Sequence, residues 1–179
     1  MAKLHFERVT RDVEFTSFDC GVESINDYVK NSYYPTILQH AYTYCILYND
    51  YIIGYYQVYF REIELEDLPD SISEYDCGIE NIRISAVHIR FIAIDKKYQK
   101  NKIGTSVLRV IIKDIRELAE MWPVRLITID ARLDLMNWYC KEGFLPMHNN
   151  TVGQDDVTQW MYMDCMRFSR ELDEYLDSF

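Results

Sequence analysis

Phe91-Ile92-Ala93-Ile94-Asp95-Lys96-Lys97-Tyr98-Gln99-Lys100-Asn101-Lys102-Ile103-Gly104-Thr105 is the stretch that decides the fold. An apolar strand runs into a basic, polar turn, and an amphipathic helix opens near Ile103. A helix start has N–H groups without intrahelical partners and the positive end of the dipole, a combination that suits a phosphate. Lys96, Lys97, Lys100 and Lys102 add positive charge around the same turn. An ordinary solvated strand-to-helix loop has the same composition, so the turn alone leaves both readings open.

Working outward, the helix is expected to run from Ile103 to about Glu120. Its buried stripe is Val107, Leu108, Ile111, Ile112, Ile115, Leu118 and Ala119. Ile82 to Ile94 reads as a long strand before it, and Arg125 to Asp130 as a buried strand after it. Strand, crossover helix and strand make a right-handed βαβ unit. A shorter helix over Leu133 to Lys141 is expected to stop at Gly143, a natural C-terminal cap. Two strands near Phe144 to His148 and Thr158 to Cys165 follow, then an acidic helical tail from Ser169 to Phe179.

Toward the N-terminus, Lys3 to Val9 reads as a strand, and Phe18 to Val29 as a turn and then a helix. Pro35 allows a second short helix from near Thr36. Tyr42 to Tyr48 and Tyr51 to Phe60 are β-rich runs joined by the hairpin pair Asn49-Asp50. From Glu62 to Glu80 the chain is acidic and loop-like, either a solvated insertion or a lip that attracts a cationic substrate. No repeat or linker interrupts the pattern, so residues 1–179 are expected to form a single α/β domain.

Composition narrows the function classes. The hydrophobic fraction of 49% and charged fraction of 27% are those of a globular protein. No apolar run approaches the roughly 20 residues of a membrane span, and the N-terminus lacks a signal-peptide core, so a cytoplasmic protein is expected. The net charge of −10 argues against a broad nucleic-acid or anionic-lipid surface while allowing a small basic pocket. Cys20, Cys45, Cys77, Cys140 and Cys165 are scattered without C-x-x-C spacing, and the histidines show no ligand spacing. Reduced thiols and no metal are expected. The aromatic strands from Tyr42 to Phe60 and the final strand offer surfaces that would suit a homodimer.

The order of elements, the turn Gln99 to Gly104 and the later Asn137-Trp138-Tyr139-Cys140-Lys141-Glu142-Gly143-Phe144 together resemble the GCN5-related N-acetyltransferase (GNAT) family. That resemblance implies a mixed, mostly antiparallel central sheet with splayed fourth and fifth strands and flanking helices. It implies acetyl-CoA as cosubstrate, its pyrophosphate cradled by the pattern [Q/R]-x-x-G-x-[G/A]. Gln99 opens this pattern here and Gly104 closes it, so Gln99, Lys100, Asn101, Lys102, Ile103, Gly104 and Thr105 become the expected cofactor-binding residues. Backbone groups of Ile92, Ala93 and Ile94 would pair with the pantetheine arm. Two positions depart from the family. Lys102 stands where the first glycine belongs, and Arg132 stands where an Asn often precedes the Tyr. A residue of helical φ can occupy the first position, its ammonium pairing with phosphate as a point charge; a sterically weakened site is the competing outcome.

The implied chemistry is acetyl transfer to a primary amine by direct attack on the thioester, which needs a neutral amine and a proton for the leaving thiolate. By the resemblance Tyr139 is the general acid. His88, on the strand leading to the cofactor segment, is the first candidate for general base, with Glu80, Asp130 or a water chain as alternatives. Alternation puts His88, Arg90 and Ile92 on one strand face and Ile89, Phe91 and Ala93 on the other. The acceptor is a small amine, a polyamine or a protein amine. Phe18-Asp19-Cys20-Gly21 with Ile25-Asn26-Asp27-Tyr28-Val29 is similar to a segment of acetyltransferase toxins acting on aminoacyl-tRNA. A non-catalytic CoA-binding domain is the third reading.

Overall fold

The computed structural model describes residues 4–11, 15, 17–64, 83–147 and 158–166. The expected acidic stretch beyond Glu64, the tail helix and His148 lie outside these residues. The elements in chain order are β1 (Leu4–Arg8), α1 (Glu23–Lys30), α2 (Tyr33–Ile37), β2 (Tyr42–Tyr48), β3 (Tyr51–Glu64), β4 (Arg83–Ile94), α3 (Ile103–Ala119), β5 (Leu126–Arg132), α4 (Met136–Lys141), β6 (Leu145–Pro146) and β7 (Thr158–Asp164). The strands make a mixed, mostly antiparallel sheet with β4 and β5 parallel. The chain divides into two compact units, residues 1–60 with 88–112 and residues 61–87 with 113–179.

In the first unit the strand order is β1-β2-β3-β4. β2 and β3 pair from Tyr48↔Tyr51 to Tyr42↔Val58, with an irregularity between Ile46 and Leu47. Asn49 and Asp50 both have left-handed φ, 49° and 65°, the requirement of a type I′ hairpin turn. The core of this unit gathers Phe91 and Ala93 from β4, Tyr55 from β3, Cys45 and Leu47 from β2 and Val29 from α1. Burying a side chain such as Phe91 is worth about 1.5–3 kcal/mol, so the apolar face of β4 fixes which way the opposite face looks. One expectation needs correction here. α2 begins at Tyr33, not near Thr36, and so takes Pro35 into its first turn. An N–H at that position has no helical partner, so proline costs nothing there.

In the second unit the order is β3-β4-β5-β7-β6. β5 is buried at Leu126, Ile127, Thr128 and Ile129 in succession, the signature of a strand covered on both faces. β7 pairs antiparallel with β5 from Leu126↔Asp164 to Arg132↔Thr158. A two-toothed ion pair closes one end, Arg125 Nε and Nη2 donating to the two carboxylate oxygens of Asp164 at 2.7 Å each. Ile63, Ala86, Leu126, Met147 and Tyr162 form its core.

Candidate active site

The turn after β4 is built by side chains far away in sequence. Asp95 starts a short 3₁₀ turn over Lys96–Tyr98 by accepting from the Lys97 N–H at 2.9 Å. The Asp95 N–H donates to the Ile53 carbonyl at 2.9 Å, which ties the end of β4 to β3. The Gln99 side-chain amide donates to two carbonyls, Cys20 and Ile94, both at 2.8 Å. It thereby joins the N-terminal segment to the end of β4. Asp19 completes this latch. One carboxylate oxygen accepts from the Gly21 N–H at 2.8 Å and the Asn26 amide at 3.0 Å, and the other from Lys96 Nζ at 2.7 Å. The Lys96 N–H returns to the Asp19 carbonyl at 2.9 Å. The Lys96 ammonium, then Asn26 and Gly21, hold the Asp19 carboxyl at about 2, well below the ordinary carboxylate value. The segment Phe18-Asp19-Cys20-Gly21 therefore acts locally as a clasp on the turn.

Beyond Gln99 the backbone is contorted. Lys100 and Lys102 both adopt left-handed φ, 65° and 61°. This corrects the expectation of helical φ at Lys102: the position retains the conformation that favours glycine and carries a side chain in spite of it. Each such residue costs about 1–2 kcal/mol in local strain. Alternation into left-handed backbone is also how a chain curls successive N–H groups around an anion. Lys100, Asn101 and Lys102 are exposed, and Ile103, Gly104 and Thr105 are half-buried at the start of α3. A Cβ added at Gly104 would meet nothing within 4 Å, so no packing within the protein requires glycine there. Inside a helix glycine costs up to about 1 kcal/mol relative to alanine, and less in the first turn, where Gly104 lies.

On the strand side of the turn burial alternates from Ile89 to Ala93, while His88, on the expected face of Arg90 and Ile92, is buried too. Ala93 and Ile94 are buried and Ile92 is half-buried. His88 is 2% exposed, and its ring lies 4.9 Å from that of Tyr59. Of the other base candidates, Asp130 sits on β5 opposite Trp160 and Glu80 lies outside the described residues.

Tyr139 belongs to the second unit, on the last turn of α4. Two hydrogen bonds end that helix: Gly143 N–H to the Cys140 carbonyl and Phe144 N–H to the Tyr139 carbonyl, both 3.1 Å. Gly143 has φ +98°. This is a Schellman cap, in which the residue after the glycine packs back on the helix. The Phe144 ring does so, edge-on to Tyr139 at 5.7 Å. The motif Tyr-x-x-x-Gly-Phe is thus a device that fixes the direction of the Tyr139 ring. Tyr139 is 5% exposed, and burial pushes its phenol well above the ordinary value, so it stays protonated at neutral pH. What the sequence reading missed is the clasp of Asp19, Asn26 and Lys96. Its only trace in the sequence was the run Phe18 to Gly21.

No protein-family model matches the chain, and no curated protein does. Solved structures do. A bacterial toxin superposes with a TM-score of 0.75 at 16% identity, covering 100% of this chain and 98% of that one. A tyrosine-to-phenylalanine mutant of KacT gives 0.75 at 18% identity, over 97% and 98% of the two chains. AtaT complexed with acetyl-methionyl-tRNAfMet gives 0.72 at 20% identity, over 98% and 99%. The chain shares the fold of these structures.

Proposed function

We propose that this chain is an acetyl-CoA-dependent N-acetyltransferase. The observation that carries the reading is the turn from Gln99 to Thr105. It holds strained, left-handed lysines and a glycine that internal packing does not require, in front of a 17-residue helix. Strain held in place by a clasp, at a helix start, is what a pre-organised pyrophosphate cradle requires. Relatives in fold support it, AtaT having been solved with acetyl-CoA.

In this reading the N–H groups from Lys100 to Thr105 face the pyrophosphate, with Lys100 and Lys102 as mobile countercharges. Backbone groups of Ile92, Ala93 and Ile94 hold the pantetheine arm. Gln99 is a positioning residue, since its amide already serves the Cys20 and Ile94 carbonyls. The amine nitrogen attacks the thioester carbon and the C–S bond breaks. The departing thiolate takes the Tyr139 hydroxyl proton, the product nitrogen gives its proton to solvent, and the tyrosinate is reprotonated. Packed against Tyr59, His88 suits support of that ring better than proton transfer, and Asp130, Glu80 and a water chain stay open as the base.

The acceptor is a primary amine. A second reading, acetylation of aminoacyl-tRNA, draws on the AtaT complex with acetyl-methionyl-tRNAfMet and on the clasp segment. A partner chain would accompany it, as the C-terminus of the antitoxin AtaR accompanies AtaT. The net charge of −10 weighs against it, because phosphate contacts supply most of such affinity. Titration calorimetry with acetyl-CoA, followed by thiol release over a panel of amines and aminoacyl-tRNAs, tests both. Binding with release on amines supports the first reading, and release on aminoacyl-tRNA alone the second. Binding without release would indicate a non-catalytic CoA-binding domain, and no binding would contradict all three.

A further inference from the structure

Arg90 is the one exposed residue in the run from Ala86 to Ile94 on β4. Its surroundings are constructed in depth. Its Nη1 donates to the Gln57 side-chain oxygen at 3.0 Å, and the Gln57 amide donates to the Thr43 hydroxyl at 2.8 Å. Gln57 is 1% exposed and Thr43 is fully buried. Burying two polar side chains costs free energy unless they are paired, and here the pairing ends on a guanidinium. The ring of Tyr59 lies 4.7 Å from the guanidinium carbon and that of Tyr28 5.7 Å, both within cation–π range. Tyr59 leans in turn on the buried His88.

Such contacts orient the guanidinium without exhausting it. A ring face consumes no N–H donor, and Gln57 takes one of the five. Arg83, Arg125 and Arg132 each pair with a carboxylate, while among the described residues none pairs with Arg90. In a chain of net charge −10 this is a fixed cation with no carboxylate partner among the described residues. It also lies on the strand face of Ile92, about 7 Å along the strand at ~3.3 Å per residue.

We propose that Arg90 is a binding residue for an oxyanion carried by the acyl acceptor, which is then an amine bearing a carboxylate or phosphate a few bonds away. The proposal rests on the acetyltransferase reading for its acceptor, though not for its anion. A pre-oriented guanidinium grips either group through paired N–H donors.

Two experiments test it. First, the Arg90 Nε–H resonance is followed while acetate or inorganic phosphate is added. A saturating shift with either supports the subsite, and the tighter-binding ion identifies the source of the anion. No shift with either overturns it, whatever the enzyme does. Second, amines are compared in pairs, glycine with methylamine and phosphoethanolamine with ethanolamine. Arg90→Gln, which can still donate to Gln57, is expected to raise KM for the anionic member about 10- to 100-fold. KM for its neutral partner and for acetyl-CoA should stay within about twofold, and Arg90→Lys should recover part of the loss. An equal change across a pair, or none, overturns the proposal. If no amine is acetylated while the resonance still saturates, the acetyltransferase reading has failed and the oxyanion site stands.

Discussion

The turn after β4 and the end of α4 achieve rigidity by opposite means. The turn is polar and exposed, and a long-range clasp from Asp19 and Gln99 holds it against its own backbone strain. The end of α4 is apolar and local, a Schellman cap in which Gly143 and Phe144 fix the ring of Tyr139. The first arrangement presents backbone N–H groups, so its side chains are partly interchangeable. In the proposed reaction the second presents one side-chain atom, the Tyr139 hydroxyl. Substitutions should therefore separate into those that change binding and those that change turnover.

The largest effect is expected at the cap. Tyr139→Phe keeps the ring packing and removes only the hydroxyl that would donate the proton, so kcat should fall about 10²- to 10³-fold. Affinity for acetyl-CoA by calorimetry should stay within about twofold. Equal turnover would assign Tyr139 to packing alone. Gly143→Ala should come next, because it forces a side chain into φ +98° and brings a Cβ to 3.3 Å from the Met163 methyl. A loss of about 1–2 kcal/mol in denaturant unfolding is expected. The turn should answer the same kind of change with the opposite sign. Lys102→Gly relieves left-handed strain and should stabilise by about 0.5–1 kcal/mol, whereas Lys102→Ala keeps the strain and should not. Destabilisation by both would show that the lysine side chain itself supports the turn.

The difference between the two regions also explains what the sequence revealed. The cap spans Tyr139 to Phe144, so its motif could be read directly, glycine and all. The strand-turn-helix was legible because apolar periodicity is local. The clasp was not, since it joins residues such as Asp19 and Lys96 across most of the first unit. Gln99 was visible as part of a cofactor pattern, yet its hydrogen bonds to Cys20 and Ile94 depend on the fold. The left-handed φ of Lys102 was hidden as well, because lysine gives no local sign of such a conformation.

A smaller effect tests the clasp itself. A carboxyl held at about 2 contributes stability above its ordinary value near ~4, and that contribution is lost as pH falls through about 2. The Asp19 carboxyl resonance should titrate with a midpoint near 2, and the amide signals of Gln99 to Lys102 should move with it. A midpoint at the ordinary value would mean that the ion pair with Lys96 does not hold the turn.

The cradle is tested most directly by Gly104→Ala, measured as both thermal stability and acetyl-CoA affinity. The added methyl meets nothing within 4 Å beyond its chain neighbours and the backbone of its own helix, so stability should be equal or higher. Close approach of the pyrophosphate to that backbone would instead weaken acetyl-CoA binding about tenfold or more. Unchanged affinity in the folded variant would contradict the assignment of this turn to the cofactor.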